Sequence, residues 1–164
     1  MKIRLCTLKD IDAVNSIYNY EIENGVATFD TQLRSKDKAI SWYKAHNNSN
    51  HPIFVAVNED DEPLAYCSLS QYRDKDAFDC TVEISIYVDL KARRHGIARA
   101  LCHHAIEYSR NRSDIKNIVS VITSTNEKSL NLFKSLDFKD GGTLPAVGIK
   151  FGMVLGITNL YLLV

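Results

Sequence analysis

The chain has 164 residues, 45% hydrophobic and 24% charged, a composition that suits one globular domain over residues 1–164 and excludes a disordered or fibrous chain. Lys plus Arg and Asp plus Glu number 20 each, so no overall field favours nucleic acid or an anionic membrane as partner, and any anion site must be local.

Lys2 to Cys6 alternates as a short strand. Thr7 with Asp10 has the spacing of a capping box, and Ile11, Val14, Ile17 and Tyr18 continue as an amphipathic helix to about Glu23. The segment Asn24 to Asp30 breaks the pattern. A second helix is predicted from Ser35 to Ala45, with Ala39, Ile40, Trp42 and Tyr43 as its apolar positions. Ile53 to Val57 reads as a strand, the acidic cluster Glu59, Asp60, Asp61 and Glu62 as the turn after it, and Leu64 to Leu69 as the answering strand. The loop Gln71 to Asp79 leads into Thr81–Val88, where Val82, Ile84, Ile86 and Val88 alternate with Thr81, Glu83, Ser85 and Tyr87. A helix Ile97–Arg110, a strand Ile118–Ile122 and a short helix Asn126–Leu136 follow, the last with Leu130, Phe133 and Leu136 on one stripe. Two further strands are predicted, around Phe138 and from Ile157 onward. The apolar stretch Phe151 to Val164 is too short for a membrane span and reads as a buried terminal strand. With no repeat, linker or low-complexity tract, one α+β domain with a mainly antiparallel sheet accounts for the whole.

Between the Thr81–Val88 strand and the next helix the chain reads Arg93-Arg94-His95-Gly96-Ile97-Ala98. A basic, glycine-bearing turn that opens a helix presents unpaired N–H groups and a positive dipole end, an arrangement that binds phosphate. Gly96 allows an anion close to the backbone, and Arg93 and Arg94 add charge. The plainer alternative is an ordinary strand-to-helix turn with solvated charges, since a short glycine motif is weak alone.

Cys6, Cys67, Cys80 and Cys102 are irregularly spaced with no CxxC, and Lys2 and Arg4 are followed by no apolar run of signal length. Idle thiols in a reducing cytoplasm are the expectation. His103 and His104 are adjacent on a helix and so point about 100° apart, and no HExxH or Cys/His spacing occurs, so no metal is expected. His46 and His51 flank a polar loop.

Further blocks recur in a fixed order: Ile17-Tyr18-Asn19, Ala27-Thr28-Phe29, Tyr72-Arg73 with Ala77-Phe78, Thr81-Val82-Glu83 through Ile86-Tyr87-Val88, Asn126 with Ser129, and Val147-Gly148 with Lys150-Phe151-Gly152. Together with Arg-x-x-Gly-x-Ala after the central strand, they resemble the GCN5-related N-acetyltransferase (GNAT) superfamily over nearly the whole chain. Within it they resemble the branch of phosphinothricin and L-amino-acid (methionine sulfone/sulfoximine) acetyltransferases. The resemblance implies a GNAT-type domain, a mixed, mostly antiparallel central sheet flanked by helices, with acetyl-CoA as co-substrate and a small-molecule amine as acceptor. It also implies a homodimer. Its pyrophosphate would meet the N–H groups of Arg93, Arg94, His95, Gly96, Ile97 and Ala98. Its pantetheine arm would pair with the backbone of Ile86, Tyr87 and Val88, and Asn126 would hydrogen-bond it.

In that reading Glu83 is the general base that takes a proton from the acceptor ammonium. A cleft walled by Phe29, Phe78 and Tyr87 would raise its pKa toward a useful value. As a sequence feature alone, without the resemblance, Glu83 reads first as a solvated residue on the polar face of a half-exposed strand. Arg73 would hold a substrate carboxylate or phosphinate by bidentate pairing, or be a loop arginine beside Asp74 and Asp76. Phe29 and Phe78 would wall the acceptor pocket, and Lys150 and Phe151 match a segment that in this branch reaches a partner subunit's active site. The chain departs from the pattern at Phe133, where the superfamily often has a tyrosine or the branch a histidine, and at Asp137, which replaces a glycine. It departs again at Asp79-Cys80 and at Met153-Val154-Leu155-Gly156, where the branch usually has Arg-Trp-Leu-Asp. Two other readings are a protein or peptide N-acetyltransferase and a catalytically weakened acyl-CoA-binding sensor.

Overall fold

The structure is a computed structural model that describes residues 1–46 and 49–164. Residues 47 and 48, in the polar loop between His46 and His51, lie outside the described residues. In chain order the elements are β1 (Lys2–Leu5), α1 (Ile11–Asn24), α2 (Lys36–His46), β2 (Ile53–Val57), β3 (Pro63–Gln71), β4 (Thr81–Val88), α3 (Ile97–Arg110), β5 (Asn117–Thr123), α4 (Glu127–Lys134), β6 (Lys139–Lys150) and β7 (Met153–Leu163). Among the described residues the strands form one seven-stranded sheet in the order β1-β2-β3-β4-β5-β7-β6. Every pairing is antiparallel except β4 with β5. The α+β class and the mostly antiparallel sheet are as the sequence predicts.

Helices cover both faces. On one, Ile97, Leu101, Cys102, Ala105 and Ile106 of α3 recur at helical spacing and pack on Val82, Ile84, Ile118 and Ile122 of the sheet. Full burial of a side chain such as Leu101 or Ile84 contributes about 1.5–3 kcal/mol each. On the other face, Ile11, Val14 and Ile17 of α1 and Ala39 of α2 pack on Ile53, Val55 and Tyr66. The capping-box expectation holds in detail. The Asp10 carboxylate accepts from the Thr7 N–H (2.7 Å) and hydroxyl (2.9 Å), and from Arg4 at 2.8 and 2.9 Å, which ties the start of α1 to β1.

Two boundaries are corrected. The short helix is Glu127–Lys134, with Asn126 as its cap residue: the Asn126 Oδ1 accepts from the Ser129 N–H at 3.2 Å. The strands expected around Phe138 and from Ile157 are one long hairpin, β6–β7, turning at Phe151-Gly152, both at positive φ (50° and 72°). Two central residues at positive φ are what a tight two-residue hairpin loop requires. Gly141, Gly142, Pro145, Gly148 and Gly156 hide these strands from a reading by periodicity. The register also shifts between Asp140 and Thr143 and between Leu144 and Gly148.

Candidate active site

The parallel pair β4–β5 is in register only at Thr81–Asn117, Val82–Ile118 and Glu83–Val119. Beyond Glu83 the two strands separate, and the gap is a cleft of about 770 Å³ that passes through the sheet. One wall is the free edge of β4 from Ile84 to Val88, and the other is Ser120 to Thr123 of β5. The roof on the α3 face is the start of α3 and the Asn126–Phe133 segment, while Glu21 and Ala27 close the cleft from the α1 face.

Residues of a strand turn their backbone groups alternately to the two neighbours. The Asp89 N–H donates to the Leu64 carbonyl at 2.9 Å, and the Leu69 N–H turns away from β4 to the Pro52 carbonyl at 3.0 Å. Given the β3–β4 register, Glu83, Ser85 and Tyr87 therefore face β3 with their main chain, and Ile84, Ile86 and Val88 face the cleft. The opened sheet thus offers strand-like donors and acceptors to an extended ligand.

Those groups lead directly to the basic turn. Arg94 and Gly96 both adopt left-handed backbone (φ 68° and 75°), which aims the loop at the first turn of α3. The opening N–H groups of that helix have no intrahelical acceptors. No atom outside the chain neighbours lies within 4 Å of a Cβ built on Gly96, so its neighbourhood is open space against bare backbone. Arg93, Arg94, Gly96, Ile97 and Ala98 line the cleft, as do Ile86, Tyr87, Val88 and Asn126. His95 does not, and its ring Nδ1 lies 3.4 Å from the Ala92 carbonyl. The Arg93 side chain does not lend its charge to the turn as expected. Its Nε donates to the Val88 carbonyl at 3.2 Å and its terminal nitrogen is paired with the Glu21 carboxylate, so the guanidinium bridges β4 and α1.

Glu83 occupies the last position at which β4 touches β5, and its side chain shares the α1 face with Ser85 and Tyr87. It is half-buried. Burial raises its carboxyl above the ordinary carboxylate range, and the Arg73 charge pulls it partly back. No hydrogen bond among the described side chains engages it. Beside it runs an aromatic layer in which Tyr66 and Tyr87 stack at 5.3 Å and Tyr18 meets Tyr87 edge-on at 5.2 Å. Arg73 lies over Tyr72 (5.0 Å), and Tyr72 meets Phe78 edge-on at 5.9 Å.

The expected acceptor walls do not converge on one enclosed pocket among the described residues. Phe29 lines a separate hollow of about 340 Å³ with Asp30, Arg34 and Lys38, and its ring rests where a Cβ on Gly148 would stand, at 2.5 Å. Lys150 is a correction. Only 3% exposed, its ammonium donates to the Thr28 carbonyl (2.8 Å) and the Glu21 carbonyl (3.2 Å) of its own chain, so it turns inward and not toward a partner. Phe151, next to it, is exposed at the hairpin turn. Phe133 is buried against Phe138 at 5.0 Å and lines the cleft with a hydrocarbon ring where a hydroxyl or imidazole was the alternative.

Glu21, Ser120 and Thr123 carry no signal in the sequence, and they reach the cleft only because β4 and β5 diverge. The Thr123 hydroxyl donates to the Val26 carbonyl, fastening the α1–α2 loop over the opening.

The family model for the acetyltransferase (GNAT) family matches residues 15–138. The L-methionine sulfoximine/L-methionine sulfone acetyltransferase of Salmonella typhimurium is 32% identical over 162 residues, 99% of this chain and 94% of that protein. Among solved structures, a ribosomal-protein-alanine N-acetyltransferase from Brucella melitensis superposes with a TM-score of 0.95 at 31% identity, covering 100% of both chains. A phosphinothricin acetyltransferase from Sinorhizobium meliloti, in complex with acetyl-CoA, gives 0.93 at 25% identity over 99% of this chain and 88% of its own.

Proposed function

The chain belongs to the GNAT acetyltransferase family, and from that premise we propose that it moves the acetyl group of acetyl-CoA directly to the α-amino group of a small amino acid or analogue, with Glu83 as general base. One observation carries the reading. The cleft-facing edge of β4, with only its Val88 carbonyl taken up by the Arg93 Nε, leads from the open N-terminus of α3 to Glu83, so a single extended donor fits phosphates at one end and its reacting carbon at the other.

Acetyl-CoA supplies an activated acyl thioester. The N–H groups from Arg93 to Ala98 hold its phosphates at the positive end of α3. The main chain of Ile86 and the Val88 N–H pair with its arm as an added strand would, and the Asn126 amide, whose oxygen is spent on the helix cap, donates from the other wall. Asn126, Ser120 and Thr123 keep the cleft narrow. An ammonium cannot attack a carbonyl, so the acceptor must first lose a proton, and the raised carboxyl of Glu83 is matched to that task. Arg73 and Phe78, joined through Tyr72, form the acceptor side, with Arg73 pairing a substrate carboxylate, while Phe29 stays in its separate hollow and Phe151 at the hairpin turn. Phe133 has no proton to give, so the departing thiolate takes its proton from water.

The protein works as one domain over residues 1–164, in the cytoplasm, where its buried thiols Cys6, Cys67 and Cys102 stay reduced. It is a homodimer joined through the hairpin. Leu144, Val147, Ile149, Phe151, Met153 and Val154 are all exposed there, an apolar patch that suits a protein partner. A second reading, acetylation of a protein α-amine, is supported by the likeness to the Brucella enzyme. Thiol release from acetyl-CoA, measured across free amino acids, sulfone and phosphinate analogues and N-terminal peptides, tests both. Turnover with free amino acids supports the proposal, and turnover with peptides alone replaces it. Binding of acetyl-CoA without turnover of any amine would make the chain a sensor.

A further inference from the structure

Ser70 and His46 were no part of the expected site, yet they stand directly behind its base. Ser70 of β3 is the cross-strand partner of Glu83. Opposed residues of an antiparallel pair share a face with Cβ atoms about 4.5–5.5 Å apart. Among the described residues the Glu83 carboxyl makes no direct hydrogen bond to Ser70, so a link between them runs through one water. On its other side the Ser70 Oγ lies 2.8 Å from Nε2 of His46, at the end of α2.

The tautomer follows from the second ring nitrogen. His46 Nδ1 is 2.9 Å from the Trp42 carbonyl, which can only accept, so Nδ1 carries the hydrogen. In the neutral ring Nε2 is then a lone pair, and the Ser70 hydroxyl donates to it. The Ser70 oxygen is left to accept on the side of Glu83. All donors along the line point the same way, from carboxyl to serine to imidazole.

We propose that Ser70 and His46 are positioning residues that form a proton relay behind Glu83, clearing the proton taken from the acceptor. This rests on the reading of Glu83 as base. When protonated, Glu83 donates its O–H to the bridging water, which passes one of its own hydrogens to Ser70 Oγ as the Ser70 hydrogen passes to His46 Nε2. The products are a restored carboxylate, an unchanged water and serine hydroxyl, and an imidazolium whose Nδ1–H still bonds the Trp42 carbonyl. The imidazolium then gives its Nε2 proton to water, and no other atom or electron moves. The surroundings favour that discharge. Burial lowers the His46 pKa, the Trp42 carbonyl bond opposes this, and the charges of His51 and Arg34 lower it further. The Trp42 ring covers one face of the imidazole at 4.8 Å. Arg73 and Tyr87 are the charged and titratable groups that face Glu83.

The test is the pH dependence of kcat and KM for the full chain and for Ser70→Ala, Ser70→Thr, His46→Asn and Glu83→Gln. His46→Asn keeps a donor for the Trp42 carbonyl and removes the acceptor for Ser70. Ser70→Ala and His46→Asn should each lower kcat about tenfold, short of the 10²–10⁴ expected for losing the base itself. KM for acetyl-CoA should not move, the acid limb should shift, and Ser70→Thr should restore both. In nitrogen-resolved NMR the His46 titration should shift in Glu83→Gln, which a purely structural serine–histidine contact would not cause. Parental kcat and pH profile in Ser70→Ala and His46→Asn, with Glu83→Gln impaired, overturn the relay alone. Parental activity in Glu83→Gln overturns the reading beneath it. Should Ser70→Ala not fold, His46→Asn at the helix end decides the matter by the same criteria.

Discussion

Two regions of this molecule are left open, and what each exposes is the reverse of the other. In the cleft between β4 and β5 the side chains of Ile84 and Ile122 are buried, while the main chain of Ile86 and Val88 is unpaired with any strand. In the outer half of the β6–β7 hairpin the main chain is paired through Gly148–Leu155, Ile149–Val154 and Lys150–Met153, while Ile149 and Val154 are 69% and 64% exposed. Bare peptide groups demand a partner that can hydrogen-bond along a line; bare hydrocarbon demands one that excludes water over an area. The first describes a slender polar ligand and the second a protein surface. The two openings should therefore respond independently to substitution.

The largest effect is expected at the inner end of the cleft. Glu83→Gln should cost about 10²–10⁴ in turnover, with acetyl-CoA affinity nearly unchanged, as measured by steady-state kinetics and calorimetry. Because burial raises this carboxyl, the acid limb of the parent's kcat/KM profile should lie above the ordinary carboxylate range and vanish in the variant. The same shift has a stability sign. The folded state holds the Glu83 proton more tightly than the unfolded chain, so its contribution is full at low pH and is lost as pH rises through the folded pKa. Glu83→Gln should therefore melt higher than the parent at neutral pH, with the gap closing under acid. A variant that melts lower at neutral pH would show the carboxylate to be stabilising.

Next comes Gly96→Val, which forces a β-branched residue to φ 75° and places carbon where the phosphates approach. The left-handed backbone should cost about 1–2 kcal/mol of stability, and the side chain, by blocking close approach to the helix N-terminus, should weaken acetyl-CoA binding by calorimetry. Parental affinity would move the phosphate site elsewhere. On the other side of the comparison, Val154→Glu should halve the mass seen by light scattering at micromolar concentration and leave acetyl-CoA binding as it was. A parent that is already monomeric and active would remove the hairpin from the dimer proposal. Loss of cofactor binding in the variant would break the independence of the two regions.

The smallest effect concerns Asp137, which holds φ 68° where the branch has glycine. The turn survives the exchange, because the Phe138 N–H still donates to the Phe133 carbonyl at 3.2 Å and closes the end of α4. Asp137→Gly should relieve the backbone and add about 0.5–1 kcal/mol of stability by denaturant unfolding, with no change in turnover.

What could be read ahead of the structure follows the same division. Alternation in Thr81–Val88 and the three-to-four spacing in α3 place strand β4 and helix α3 correctly, since both depend on local periodicity and a buried face. The cleft residues from β5 and Glu21 of α1 were not legible, because they come together only where two strands separate, and no local pattern encodes a separation. Arg93 shows the limit of charge counting. The sequence reads it as charge added to the turn, and Glu21, 72 positions away, holds it instead. The hairpin was missed for a chemical reason. Its glycines and Pro145 serve bulges and close contacts: a Cβ on Gly156 would stand 2.7 Å from the Leu144 carbonyl, so the aspartate that the branch carries there does not fit this backbone unmoved.

The inward turn of Lys150 also bears on the order in which the molecule is finished during synthesis. Its ammonium closes contacts with Thr28 and Glu21 across 122 and 129 positions. A growing chain emerges from the ribosome N-terminal end first. Helix α1 and the loop beside it are thus made long before the residue that clamps them. Until the hairpin arrives, the Thr28 and Glu21 carbonyls have no ammonium to meet, and β5 has no β7 at its flank. A nascent chain stalled before residue 139 would carry the phosphate turn and Glu83 but not the strut that fixes the loop over the cleft. The chain thereby makes the β4 edge and the basic turn early and the Lys150 contacts that hold the α1–α2 loop last, so partial products of translation should hold acetyl-CoA poorly and spend none of it.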